Sequence, residues 1–99
     1  MIRHIVLFKT PEIFSDQQLE DVRAPLMALQ TTVPGIIAMD WGTNVSPEGF
    51  AQGYTHGFTV YFQDVTARDG YLVDADHAAA GKRLFEMCGG DLLVFDFEI

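Results

Sequence analysis

Tyr54-Thr55-His56-Gly57-Phe58-Thr59-Val60-Tyr61-Phe62 is the stretch on which the reading of the fold turns. Its period is two. Tyr54, His56, Phe58, Val60 and Phe62 fall on one face, and Thr55, Gly57, Thr59 and Tyr61 on the other. Alternation rich in aromatic and β-branched residues predicts a strand. Ile2 to Lys9 repeats the pattern, with Ile2, His4, Val6 and Phe8 opposite Arg3, Ile5, Leu7 and Lys9, and Thr10-Pro11 closes it. Both faces are largely apolar, which predicts cover on both sides.

Between these strands, Ser15 and Gln18 form a capping-box pattern ahead of Leu19, Val22, Leu26 and Leu29 at helical spacing. Pro25 inside that pattern predicts a kink or an early end, and Val33-Pro34-Gly35 is the stop. Ile36 to Asn44 reads as a further strand. The connection from Asn44 to about Gly53 is longer than the roughly 2–5 residues of a common hairpin loop. Beyond Phe62 come a short helix, Thr66 to Val73, a second, Ala75 to Cys88, stopped by Gly89-Gly90, and a last strand, Leu92 to Ile99.

The order β-α-β-β-α-β is the split βαβ arrangement. It predicts an α+β, ferredoxin-like sandwich in which helices cover one face of an antiparallel sheet. The opposite face, with Ile5, Leu7, Tyr61, Leu93, Phe95 and Phe97, is too apolar to stand in water. Packing against a second copy would cover it, so the expected assembly is a homodimeric α/β barrel.

Composition narrows the function classes. The 99 residues suit one domain, 1–99, and 48% hydrophobic against 20% charged residues excludes a disordered chain. A net charge of −8 with six scattered Lys and Arg argues against a nucleic-acid partner and against anionic membrane surfaces. No apolar run is long enough to span a membrane. The single cysteine, Cys88, cannot form an internal disulfide and reads as packing. With no apolar signal core at Met1-Ile2-Arg3-His4, the expected location is the cytoplasm.

Three histidines carry the functional reading. His4 and His56 keep company with the bulkier apolar set on neighbouring strands, which puts both on the helix-covered face. A buried imidazole has two ring nitrogens to satisfy; core histidines bonded to the backbone or to each other are the alternative. His77 shares a helical stripe with Ala80, Gly81, Leu84 and Cys88, and Asp74 caps that helix so that His77 sits in its first turn. A neutral His77 would serve as a general base. Tyr71 precedes it by six residues, about 240° around one straight helix, so only a break at Asp74-Ala75-Asp76 turns both inward. Phe58 and Leu84, on the same inward faces, are the apolar candidates for a ligand-binding wall. None of the histidines has a partner at i+3 or i+4, which argues against zinc, and the glycines are too dispersed for a phosphate loop.

His4-Ile5-Val6-Leu7-Phe8, the Trp41-Gly42-Thr43-Asn44-Val45-Ser46-Pro47-Glu48-Gly49 segment, Gly53-Tyr54-Thr55-His56, and Tyr71 with His77 together resemble the stress-responsive A/B barrel (Dabb) family over essentially the whole chain. The resemblance implies a homodimer with a pocket between sheet and helices. The family includes a plant polyketide cyclase whose catalytic tyrosine and histidine fall on Tyr71 and His77, with pocket histidines at His4 and His56. The activity implied is a cyclase or other proton-transfer reaction on a small carbonyl compound, without an organic cofactor. The alternatives are a non-catalytic dimer that binds a ligand or serves stress tolerance, and a cofactor-free monooxygenase or isomerase of another dimeric-barrel family. Some plant members hold magnesium near the turn after the first helix, here Val33 to Ile36, on backbone carbonyls. One departure stands out: where the family often has His-Pro-x-His, this chain has Asp74-Ala75-Asp76-His77.

Overall fold

A computed structural model describes residues 1–99. The elements run β1 (Ile2–Phe8), α1 (Asp16–Thr32), β2 (Ile36–Thr43), β3 (His56–Phe62), α2 (Val65–Leu72), α3 (Ala75–Met87) and β4 (Leu92–Glu98). The four strands form one antiparallel sheet in the order β2-β3-β1-β4. This is the expected α+β ferredoxin-like fold.

The two-residue period decides the layering. Ile2, His4, Val6 and Phe8 of β1 and Phe58, Val60 and Phe62 of β3 are buried. They meet Val22, Leu26 and Leu29 from α1, Tyr71 from α2 and Ala80 and Leu84 from α3. The core therefore lies on one side of the sheet, beneath the helices. On the other side Arg3, Ile5, Leu7 and Tyr61 are half-buried, while Leu93, Phe95 and Phe97 remain exposed.

Helix α1 does not end early at Pro25 but runs through it to Thr32. The missing amide frees the carbonyl of Asp21, an exposed residue, so water can take the lost bond. The capping box itself is complete, with the Ser15 hydroxyl accepting from the Gln18 amide at 3.1 Å and the Gln18 side chain accepting from the Ser15 amide at 2.7 Å. Strand β3 begins at His56, two residues later than its alternation suggests, although Thr55 still accepts from the Asn44 amide and donates to Phe8.

Candidate functional site

Helix α2 ends at Leu72 and α3 begins at Ala75, so the break after Tyr71 is real. The Asp74 carboxylate builds the new helix start by accepting from the amides of Asp76 (2.9 Å) and His77 (3.0 Å). Asp74 is thus the N-cap that turns His77 back toward Tyr71. Their rings lie 4.0 Å apart, centre to centre.

The ring of His4 joins them from the sheet, 5.7 Å from Tyr71 and edge-on to it. Phe62 packs against both rings. His4, Phe58, Tyr71, His77, Leu84 and Leu92 line one cavity of about 220 Å³, most of whose lining side chains are apolar. Exposed Leu72, Phe85 and Val94 also line it, so it opens to solvent at that side. A dry cavity of about 150 Å³ is enough to take benzene, so one ring-sized molecule fits here.

The polar atoms inside decide what the cavity can do. The Tyr71 hydroxyl and His77 Nδ1 are buried with no hydrogen-bond partner in the protein. Most buried polar groups are paired, and leaving two unpaired side by side costs stability. Burial pushes the Tyr71 phenol well above its ordinary range, so it stays a neutral donor. His77 is held below the ordinary imidazole range, first by burial and then by the neighbouring His4 imidazole, whose cationic form would repel a second proton. The Leu72 carbonyl and Asp74 pull the other way; the carbonyl favours the protonated ring without meeting hydrogen-bond geometry at Nδ1. At neutral pH the pair is a phenol that donates beside an imidazole that accepts.

His56 does not join them, and the expectation of three imidazoles in one enclosure is corrected on this point. His4 is the third residue of β1 and His56 the first of β3, and antiparallel neighbours begin at opposite ends of the sheet. His4 pairs with Val60, whereas His56 pairs with Phe8, four residues or roughly 13 Å away along β1. The His56 ring stacks on Phe8 at 5.5 Å, meets the edge of Phe14, and its Nδ1 bonds the Thr55 hydroxyl at 2.9 Å. It sits in an aromatic nest with its Nδ1 bonded, outside the cavity that holds His4, Phe58, Tyr71, His77 and Leu84.

Two residues that sequence reasoning missed stand behind His4. Its Nδ1 lies 2.7 Å from Asp96 Oδ1, and Arg68 Nη1 donates to Asp96 Oδ2 at 2.8 Å. The signal was a carboxylate on the inner face of a largely apolar strand, at the register position opposite His4. The turn from Val33 to Ile36 fits a metal poorly: the Gly35 carbonyl already accepts from the Gln63 amide, and the bordering carboxylates of Asp64 and Asp74 each cap a helix. Hard cations want several convergent oxygens.

The Stress responsive A/B Barrel Domain family matches residues 2–99. The chain belongs to that family. Among Dabb relatives, olivetolic acid cyclase of Cannabis sativa is 24% identical over 96 residues, 97% of this chain and 94% of that protein. Hydroxynitrile lyase from Passiflora edulis shares the fold at a TM-score of 0.89 and 26% identity, covering 99% of this chain and 92% of that one. A dimeric ferredoxin-like protein of unknown function from Jannaschia sp. CCS1 gives a TM-score of 0.89 at 28% identity, covering 99% and 98%. No helix of this Dabb chain is long and apolar enough to cross a membrane.

The site makes stability depend on pH in a definite direction. Burial lowers His56 as well as His77. Both bind a proton less readily folded than unfolded, where an imidazole titrates at about 6.5. The unfolded chain therefore takes up more protons as pH drops through that value, and the stabilisation present above it is lost toward acid. Urea midpoints should fall between pH 7.5 and pH 5.8, above the carboxylate range. His77→Gln should flatten that fall.

Proposed function

We propose that this Dabb chain binds a small uncharged carbonyl compound beneath its helices and moves a proton on the carbon beside the carbonyl. The observation that carries the reading is the pair of unpartnered buried atoms, the Tyr71 hydroxyl and His77 Nδ1, on two residues that line one apolar cavity. The Tyr71 O–H donates to the carbonyl oxygen. The neutral His77 ring removes the adjacent C–H proton, and the electron pair moves into an enolate whose oxygen Tyr71 stabilises. Attack of the enolate carbon on a second carbonyl of the same molecule closes a ring, as the cyclase relative's name suggests, and the alkoxide so formed takes the proton held by His77. Return of a proton from His77 completes a simple exchange. No organic cofactor enters these steps.

The same reading makes 1–99 one cytoplasmic domain that works as a homodimer. The Jannaschia relative is dimeric, and the exposed Leu93, Phe95 and Phe97 beside half-buried Ile5, Leu7 and Tyr61 form an apolar sheet face of the kind that seeks a partner. The protein should sediment as a dimer at micromolar concentration and Phe95→Asp as a folded monomer, because a carboxylate there would be buried unpaired. A wild-type monomer removes the barrel.

A second reading, a ligand-binding dimer without turnover, is favoured by the cavity's size, which lies below the roughly 300–1,000 Å³ of most ligand sites. Acetophenone in heavy water separates the two. Loss of its methyl proton signal faster than in buffer supports proton transfer. Saturable perturbation of Tyr71 and His77 resonances without exchange supports binding alone. Unchanged resonances at both residues contradict both readings.

A further inference from the structure

We infer that Arg68 and Asp96 are positioning residues that lock His4 with its proton on Nδ1, so that His4 presents a bare Nε2 acceptor to the cavity. The inference builds on the proposed site but concerns a group outside the Tyr71–His77 pair. It follows from which atoms are able to donate. A guanidinium has five N–H donors and no acceptor, and a carboxylate only accepts. Asp96 Oδ2 is held by Arg68 Nη1 at 2.8 Å, which orients the carboxylate and leaves Oδ1 facing His4 Nδ1 at 2.7 Å. Nδ1 must therefore carry hydrogen. Arg68 is itself fixed by a second bond, from Nε to Asp69 Oδ1 at 2.8 Å. Its positive charge already accompanies the Asp96 carboxylate, so His4 has no need to become cationic to satisfy it. On the neutral ring the remaining nitrogen, Nε2, has only a lone pair.

The consequence is a polarity code for the ligand. Tyr71 supplies a donor and His4 an acceptor, with the ring centres 5.7 Å apart on the wall of one cavity. The class that satisfies both bears a carbonyl oxygen together with a hydroxyl or enol hydrogen. An ether or a simple ketone leaves Nε2 unpaired.

Asp96→Asn turns this code around. Arg68 donates only, so the new amide must face it with its oxygen and point its NH2 group at His4 Nδ1. Nδ1 then has to accept, and the ring proton moves to Nε2. Long-range ¹H–¹⁵N spectra of the histidine rings, recorded above their titration, read this without a ligand or an activity. The wild type should show His4 in the Nδ1–H form and Asp96→Asn in the Nε2–H form. Arg68→Met alone should keep the wild-type form, because the carboxylate still only accepts, and Arg68→Met with Asp96→Asn should relax to a mixture. In the wild type phenol should bind roughly three- to tenfold more tightly than anisole, the worth of one hydrogen bond, and Asp96→Asn should lose that preference. An Nε2–H form in the wild type, which needs no variant to detect, overturns the inference, as does an Asp96→Asn spectrum identical to wild type. Failure of phenol and anisole alike to bind, with the tautomers as stated, overturns the site reading and the ligand code but leaves the Arg68–Asp96–His4 lock.

Discussion

His77→Gln is expected to slow exchange of the acetophenone methyl protons by roughly 10²- to 10⁴-fold relative to wild type, the usual worth of a positioned general base. Glutamine approximates the volume of the ring and has no titratable lone pair. The cavity should therefore persist and acetophenone should still perturb Tyr71. Tyr71→Phe removes only the hydroxyl and should cost roughly 10²- to 10³-fold, the range for one donor to a developing oxyanion. Proton NMR of the ketone in heavy water measures both. Exchange at the wild-type rate in His77→Gln would place the base elsewhere, with His4 the next imidazole on the wall.

Gly35→Ala is expected to destabilise the fold by roughly 3–5 kcal/mol, combining strain at a left-handed backbone position with overpacking against a neighbouring element. Gly35 sits between α1 and β2 at φ 84°, and an added Cβ would collide with the Cβ of Ala67 on α2. Relief requires α2 to move, and α2 carries both Tyr71 and Arg68. The loss should therefore appear in urea denaturation and again as weaker ligand binding in whatever fraction remains folded. Gly42→Ala, whose Cβ would meet nothing within 4 Å, is the control and should cost well under half as much. A loss below about 1 kcal/mol for Gly35→Ala would mean that α2 is not pressed against this turn.

The layering was legible in the chain because a strand's side chains alternate faces. That period separated His4, Phe58 and Phe62 from Ile5, Leu7 and Tyr61, and the bulkier apolar company of the histidines assigned the first set to the helices. The Tyr71–His77 contact was legible through Asp74, a helix cap that only makes sense if the chain turns there. His56 was not, because a face is a property of one strand, whereas position along the sheet depends on pairing direction. The Asp96–Arg68 pair escaped for a related reason: it unites α2 with β4 across 28 residues, and although Asp96 on an inward face was a local flag, nothing in the chain named Arg68 as its partner. Pro25 does not end α1 early because the cost of a helical proline depends on whether water reaches the carbonyl it orphans, which the sequence does not display.

The direct test of a shared enclosure is to map a bound ring onto it. Intermolecular NOEs from acetophenone protons to assigned side chains should reach the rings of His4, Tyr71 and His77 together, with Leu84 and Val94 methyl contacts and none to His56. Contacts confined to His56 and the Asn44–Tyr54 loop, or to the exposed sheet face at Phe95 and Phe97, would contradict the account.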